Sequence, residues 1–357
     1  MQKKLIALAV AGLASAGAFA QSNVTVYGVA DMYVGSFKTD GLERSTKVES
    51  GGLAGSRIGF KGVEDLGNGL KALFTAEYAL TLDNNSGIGD ASVGSTQARQ
   101  QFVGLTGGFG TAVAGRLQTT AYDWQVKNDV LAGTAIDPLN AVQNKSFLIG
   151  SGSGALAARA SNAVAYISPS FGGVTVALNR AYLTEENGVS GAKDNDIANL
   201  ISVSYENGPA NVGLVWAQDR SENPIDGSAK VTDWALGGGY DFGVAKLKAT
   251  YQQSKVENAE TNRAWSLGVG VPVSAAGTVI ASYAQGKLKV NDYTAPVALD
   301  DQNKIKSWTL AYTHALSKRT TAYAGYNQVS RDDAIAVKDT DAGADSKAFV
   351  AGINHKF

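Results

Sequence analysis

The side chains that most often perform acid–base, nucleophilic or metal chemistry are scarce in this chain. It has two histidines, His314 and His355, and no cysteine. Period-two alternation places both histidines on the apolar face near the ends of predicted strands, and neither shares a strand face with a serine as a hydrolase would require. Without cysteine or a closely spaced histidine pair, no zinc site is predicted. The sequence therefore predicts neither an enzyme nor a resident cofactor.

An acidic run at residues 339–345, which reads DTDAGAD, has the alternating aspartates of a calcium-binding loop. It lacks the glycine at the sixth position and the closing glutamate that complete such a loop. We interpret it as an exposed acidic loop and predict no metal site there.

The amino terminus has the pattern of a secretory signal peptide. Two lysines at positions 3 and 4 precede an apolar run that is too short to span a bilayer, and small residues at 18 and 20 suit cleavage after Ala20. We expect a mature chain of residues 21–357 that forms one domain. Basic and acidic residues nearly balance, 31 against 32, so no polybasic surface indicates nucleic acid as a partner.

The elements that must position any functional residues are strands. From Val24 onward the chain alternates in period two, most cleanly where Trp265, Leu267 and Val269 oppose Ser266 and Gly268. No convincing amphipathic helix occurs outside one long irregular stretch. The mean hydropathy of −0.08 fits a soluble β-sandwich and a membrane β-barrel equally well, because both alternate apolar and polar faces.

The lengths of the connections favour the barrel. Tight connections centre on residues 67–69, 107–110, 171–173, 208–210, 242–243, 275–277 and 317–318. Long polar connections span residues 39–53, 83–95, 119–159, 184–196, 221–231, 257–262, 291–304 and 332–345. Seven tight and eight long connections join sixteen strands, and this alternation is typical of short periplasmic turns and longer extracellular loops. We predict an all-β fold, a 16-stranded antiparallel transmembrane β-barrel.

The third long connection, residues 119–159, is much longer than an ordinary loop and carries apolar residues such as Trp124, Ile136 and Phe147. A barrel of sixteen strands is too wide for wall side chains to fill. We therefore expect this loop to fold into the barrel and to narrow its interior.

Several motifs resemble the trimeric general porins of Gram-negative outer membranes, and most closely their β-proteobacterial members. They are VYGVAD at 26–31, SRIGFKGVEDLGNGLKA at 56–72, FVGL at 102–105, GFG at 108–110 and the closing GINHKF at 352–357. The resemblance implies an outer-membrane channel for passive diffusion of small hydrophilic solutes and ions. It also implies a homotrimer with outer-membrane lipid and lipopolysaccharide as neighbours.

In that family, arginines on the wall face acidic groups on the infolded loop. By resemblance, Arg57, Arg99 and Arg159 match wall positions, and Arg116 lies beside them. Side chains alternate between the two faces of a strand. This alternation places Arg116 on the interior face with Ala112 and Ala114, and leaves Val113, Gly115 and Leu117 outside. Parity also places Glu77 inside. The candidate acids on the loop are Asp123, Asp129 and Asp137, although DPLN at 137–140 replaces the PEFGG turn of better-known members.

Four arginines against three loop acids predict a weak preference for anions, because rings of arginine and lysine favour anions in pores. Three alternatives stay open at this point. One is a substrate-specific porin with a binding site in the constriction, another is a barrel that serves mainly as an adhesin or receptor through its long loops, and the third is a soluble secreted β-sandwich.

Overall fold

The computed structural model describes residues 23–84, 88, 98–143, 148–149, 158–183, 196–220, 230–257, 261–287, 304–331 and 344–357. The predicted signal peptide, residues 1–20, lies outside these ranges, as does most of the acidic run at 339–345. Within them, no helix is long and apolar enough to cross a membrane.

Seventeen strands and two short helices make up the described chain. The strands are β1 (Asn23–Thr39), β2 (Ser45–Ser50), β3 (Arg57–Gly67), β4 (Leu70–Ala79), β5 (Ala98–Gly107), β6 (Gly110–Gln118), β7 (Arg159–Ile167), β8 (Val174–Tyr182), β9 (Ile197–Asn207), β10 (Ala210–Arg220), β11 (Val231–Asp241), β12 (Lys246–Val256), β13 (Thr261–Pro272), β14 (Gly277–Lys287), β15 (Lys304–Ala315), β16 (Thr320–Arg331) and β17 (Ser346–Lys356). The helices, α1 (Thr120–Asn128) and α2 (Pro138–Ala141), both lie in the third long connection.

The strands form one closed antiparallel sheet. From β3 to β17 each strand pairs with the next one in the chain, and β1 pairs with β17 from Val29↔Lys356 to Thr39↔Ser346. Closure gives every described strand except β2 a hydrogen-bonded neighbour on both edges, as a hydrocarbon environment requires, whereas β2 pairs with β1 alone. The predicted sixteen-stranded barrel is confirmed, with one extra strand.

The extra strand corrects one predicted connection. The sequence predicts a loop at residues 39–53, but these residues include β2, which pairs with the second half of β1 at Ser36↔Thr46. Strand β3 pairs with the first half of the same edge of β1, at Val26↔Phe60. One wall position is thus built from two collinear strands, separated by residues 51–56.

The two faces of the wall differ as alternation predicts. On β10, Val212 and Leu214 are about half exposed on the outer face, whereas Val215 and Ala217 are fully buried on the inner face. The exposed apolar residues thus lie on the outside of the closed sheet. Helix α1 contacts strands β8 to β12.

The parity assignment on β6 was wrong. Ala112 and Ala114 are exposed, whereas Leu117 is buried and packs in one cluster with Trp124 and, more loosely, Val113. The register agrees, because Ala114 pairs with Val103, which is 62% exposed. The rule that apolar residues face outward fails here because the loop covers this part of the inner wall and buries its apolar side chains.

Helix α1 lies directly on the backbone of the inner wall. Trp124 Nε1 donates to the carbonyl of Gly213 at 2.7 Å, and Asn211 Nδ2 donates to Asn128 Oδ1 at 2.7 Å. A Cβ at Gly237 would lie 2.7 Å from Asn128 Cβ and 2.8 Å from Trp124 Cζ2. Glycine at 237 therefore permits the close approach of the helix to β11.

Candidate pore constriction

Charged side chains from the wall meet the loop around a cavity of about 640 Å³. The charged residues that line it are Arg57, Arg99, Arg159 and Glu77. Side-chain amides and a phenol complete the polar lining, from Gln100, Gln118, Asn140 and Tyr122. Residues 53–55, before β3, and residues 132–135 of the loop also line the cavity, so it lies between the wall and the loop.

Glu77 is the acidic centre of this group and is only 5% exposed. Its Oε1 accepts from Arg99 Nε at 2.7 Å, while Oε2 lies 3.5 Å from Arg57 Nε and accepts from the hydroxyl of Tyr27 at 3.0 Å. Both carboxylate oxygens are thus occupied by wall residues. Glu77 fixes the two guanidinium groups in place and compensates for part of their charge.

Arg159 is held differently, by Tyr122 of the loop and by Gln118 at the end of β6. Its guanidinium carbon lies 5.1 Å from the centre of the Tyr122 ring, and Nη2 donates to Gln118 Oε1 at 3.4 Å. Stacking on an aromatic face is a common way to hold a guanidinium without neutralising it. The sequence analysis does not select Tyr122. The only feature of the sequence that points to it is its position close to the start of the loop at residue 119.

Two of the three predicted loop acids have structural roles. Asp129 Oδ1 accepts from the backbone N–H of Leu131, and Asp137 caps helix α2 by accepting from Leu139 N–H, each at 2.9 Å. Both are buried, and neither lines the cavity. Burial raises the pKa of both carboxyl groups, and the nearby Asp129 raises that of Asp137 further.

Neither Asp123 nor Arg116 lines the arginine cavity. Asp123 accepts from Gln118 Nε2 and lines an adjoining, more apolar cavity of about 290 Å³. Arg116 donates to the carbonyl of Ala98 at 2.6 Å and to Ser161 Oγ at 2.5 Å. Its pairing partner is the exposed Gln101, so Arg116 belongs to the outer face of the wall, and its assignment to the interior was wrong.

A residue that the sequence reasoning did not select, Asp31, holds the segment between β2 and β3. It is fully buried, and its carboxylate accepts five hydrogen bonds at 2.5 to 3.0 Å. The donors are the backbone N–H groups of Gly52, Leu53 and Ala54, the hydroxyl of Tyr323 and the amide of Asn354. A buried carboxylate with this many donors needs no counter-cation.

The same segment is joined to the loop. The N–H of Ala135 in the loop donates to the carbonyl of Gly52 in the segment at 2.8 Å. The next loop residue, Ile136, is bound to the wall, because its carbonyl accepts from Thr309 Oγ1 on β15 at 2.6 Å. Asp31 therefore connects β1 with β16 and β17, where the barrel closes, and with the loop through successive hydrogen bonds. Its signal in the sequence was an acidic residue on the inner face of the first strand.

Taken together, three arginines and one glutamate form the described charged lining of a water-accessible cavity inside a closed barrel. A family model described as Gram-negative porin matches residues 7–334. The chain belongs to the Gram-negative porin family. Members of this family are channels of the outer membrane and not enzymes, so the predicted family, location and absence of catalysis are confirmed.

Relatives of this porin come from β-proteobacteria. It is 33% identical to outer membrane porin protein 32 of Delftia acidovorans and 30% identical to an outer membrane porin protein of Bordetella pertussis, in each case over the whole of both chains. A solved structure, the anion-selective porin from Comamonas acidovorans, is 28% identical with a TM-score of 0.77 and covers 94% of this chain and 100% of its own. OmpF of Salmonella typhi, at 17% identity and TM-score 0.70, shares the fold.

Proposed function

We propose that this porin passes small hydrophilic solutes through a pore that the 119–159 loop narrows, with a weak preference for anions. The observation that carries the proposal is the charge of the cavity lining, three arginines against the single Glu77. Asp129 and Asp137 do not offset this excess, because they are buried in the loop. The charged lining, counted over the described residues, is therefore positive.

The physical basis is electrostatic. Arginine stays charged at any working pH, so the positive field in the narrow zone is permanent. Anions entering the cavity are attracted and cations repelled, and the effect is strongest at low ionic strength, where charges separated by about 10 Å are least screened. A relative of known structure, the porin from Comamonas acidovorans, is itself described as anion-selective.

The assembly and surroundings of the chain belong to the same proposal. We infer that residues 1–20 are removed on export, and that the mature chain forms a homotrimer whose outer surface contacts outer-membrane lipid and lipopolysaccharide. The broad apolar outer face, with Val103 at 62% and Val212 at 51% exposure, supports contact with lipid or a neighbouring subunit.

The zero-current potential in a potassium chloride gradient tests the proposed selectivity. We expect Arg99→Gln/Arg159→Gln to lower the chloride-to-potassium permeability ratio by about twofold or more, because two of the three cavity cations are lost. The matched control is Arg180→Gln/Arg220→Gln, which removes two exposed arginines from the outer face.

The control should leave the potential unchanged, since its arginines do not reach the cavity. An equal shift in both double variants would mean that overall charge, and not the cavity, sets selectivity. An unchanged potential in Arg99→Gln/Arg159→Gln would contradict the proposed role of the cavity.

A further inference from the structure

An apolar pocket adjoins the arginine cavity inside the barrel. It has a volume of about 290 Å³, and strands β4 to β7 supply its large apolar side chains, Leu73, Phe102, Val113, Leu117 and Ile167. The pocket reaches the pair Thr111↔Ile167, at the end of β6 and β7 that carries the tight turns. Tight turns mark the periplasmic end of such a barrel. A solute that enters from outside and passes the arginines therefore meets this pocket next.

The side chain of Gln118 lies at the border between the arginine cavity and the apolar pocket, and it lines both. On the arginine side, its Oε1 accepts from Arg159 Nη2 at 3.4 Å. On the side of the apolar pocket, its Nε2 donates to Asp123 Oδ1. One carboxamide thus separates a guanidinium from a carboxylate, so opposite charges lie side by side where the two cavities meet.

Neither of these two charges belongs to an ion pair within the part of the chain that the structure describes. Lys127, one helical turn from Asp123, contacts Glu206 instead. Arg159 is stacked on Tyr122. The Asp123 side chain is exposed to the barrel interior, and Arg159 is half-buried. Both groups are therefore accessible to a charged solute.

We propose that this border binds zwitterionic amino acids that have a large apolar side chain. Arg159 binds the carboxylate, Asp123 binds the ammonium group, and the side chain enters the apolar pocket. Hydrogen bonds between charged groups are about twice as strong as neutral ones, and burial of the side chain removes apolar surface from water. This inference rests on the proposed pore function and adds a class of solute to it.

The arrangement distinguishes this class from simpler solutes. An anion with the same apolar group leaves Asp123 without a partner and is repelled by its carboxylate. An apolar cation is repelled by Arg159 in the same way. The size of the pocket suits one side chain, because sites for drug-sized ligands begin at about 300 Å³.

The test is block of the current through single porin channels by L-phenylalanine at pH 7. The comparison solutes are glycine, 3-phenylpropanoate and 2-phenylethylamine, which lack the apolar side chain, the ammonium group and the carboxylate, respectively. A hydrogen bond between charged groups and the burial of one apolar side chain each contribute about tenfold in affinity. We therefore expect L-phenylalanine to reach half-maximal block at about a tenfold lower concentration than any of the other three.

The variant Asp123→Asn tests the contact with the ammonium group. It should raise the half-blocking concentration of L-phenylalanine about tenfold and should not raise that of 3-phenylpropanoate, which has no ammonium group. The matched control is Asp241→Asn, which removes a carboxylate that lies beside a tight turn at the end of β11 and lines neither cavity. The control should be blocked like the unmodified porin. An equal loss of block by both solutes in Asp123→Asn would give Asp123 a structural role and overturn the proposal.

Equal block by L-phenylalanine and 3-phenylpropanoate would overturn the proposal in favour of a site for aromatic anions. Equal block by glycine would overturn the role of the apolar pocket. Channels that conduct but are blocked by none of the four solutes would also contradict the proposal. The zero-current potential without amino acid reports on ion selectivity separately, so failure of this site and failure of the proposed selectivity are distinguishable.

Discussion

At the scale of single residues, Glu77 decides how much positive charge the cavity presents. Its carboxylate contacts two of the three arginines and is itself almost buried. A buried carboxylate in such a position acts both as a structural anchor and as an electrostatic counterweight. Its removal should therefore increase the preference for anions and decrease the stability of the barrel.

We expect Glu77→Gln to shift the zero-current potential further toward anions, because Arg57 and Arg99 would lose their compensating charge. The variant should also unfold at a lower temperature, since breaking a buried ion pair leaves two like charges close together, at a cost on the order of 3 kcal/mol. Glu206→Gln is the control, because Glu206 contacts Lys127 outside this cavity. A shift of the potential toward cations would contradict the assignment.

The sequence was informative about the arginines and less so about the acids. Motif resemblance selected Arg57, Arg99 and Arg159, and all three line the cavity. Asp129 and Asp137 could not be placed, because an aspartate that caps a turn has the same sequence signature as one that faces water. Arg116 was assigned to the wrong face because we took the more apolar face of β6 to be the outer one. Leu117 belongs to that face but packs against the loop instead.

At the scale of elements, the position of the loop depends on how closely helix α1 approaches the wall. Glycine at 213 and 237 admits Trp124 and Asn128 to the backbone of β10 and β11. The alternating pattern of the strands predicted the wall. It could not predict this contact, because glycine in a strand is equally consistent with curvature or with a close neighbour.

We expect Gly237→Val to displace helix α1, since even its Cβ would overlap Asn128 and Trp124. The single-channel conductance should rise and fluctuate as the loop loses its fixed position. Gly270→Val is the matched control in a nearby strand, where the nearest atom to a new Cβ is 3.8 Å away. Equal conductance in both variants and the unmodified porin would show that helix α1 does not set the width of the pore.

Asp31 links elements that are distant in the chain. Its hydrogen bonds join β1 to the segment between β2 and β3 and to the two last strands. That segment in turn contacts the loop at Ala135. The seam of the barrel and the position of the loop are therefore coupled through one buried carboxylate.

At the scale of the whole molecule, the sequence predicts almost the whole of the closed barrel. Alternation and the regular exchange of tight and long connections predicted sixteen strands, and the structure adds only β2 to them. Short β2 was hidden because its residues, STKVES, are mostly polar on both faces. Closure explains how an exported chain without cysteine is held together, because the strands of a closed barrel have hydrogen-bonded neighbours on both sides.

The central claim is that the barrel encloses an open pore which the 119–159 loop narrows. The most direct measurement is the single-channel conductance of detergent-purified porin in a planar bilayer, compared with a variant that lacks residues 132–152. We predict discrete steps for the intact porin and larger steps for the shortened one. Absence of steps from folded protein, or steps of equal size in both, would contradict the claim.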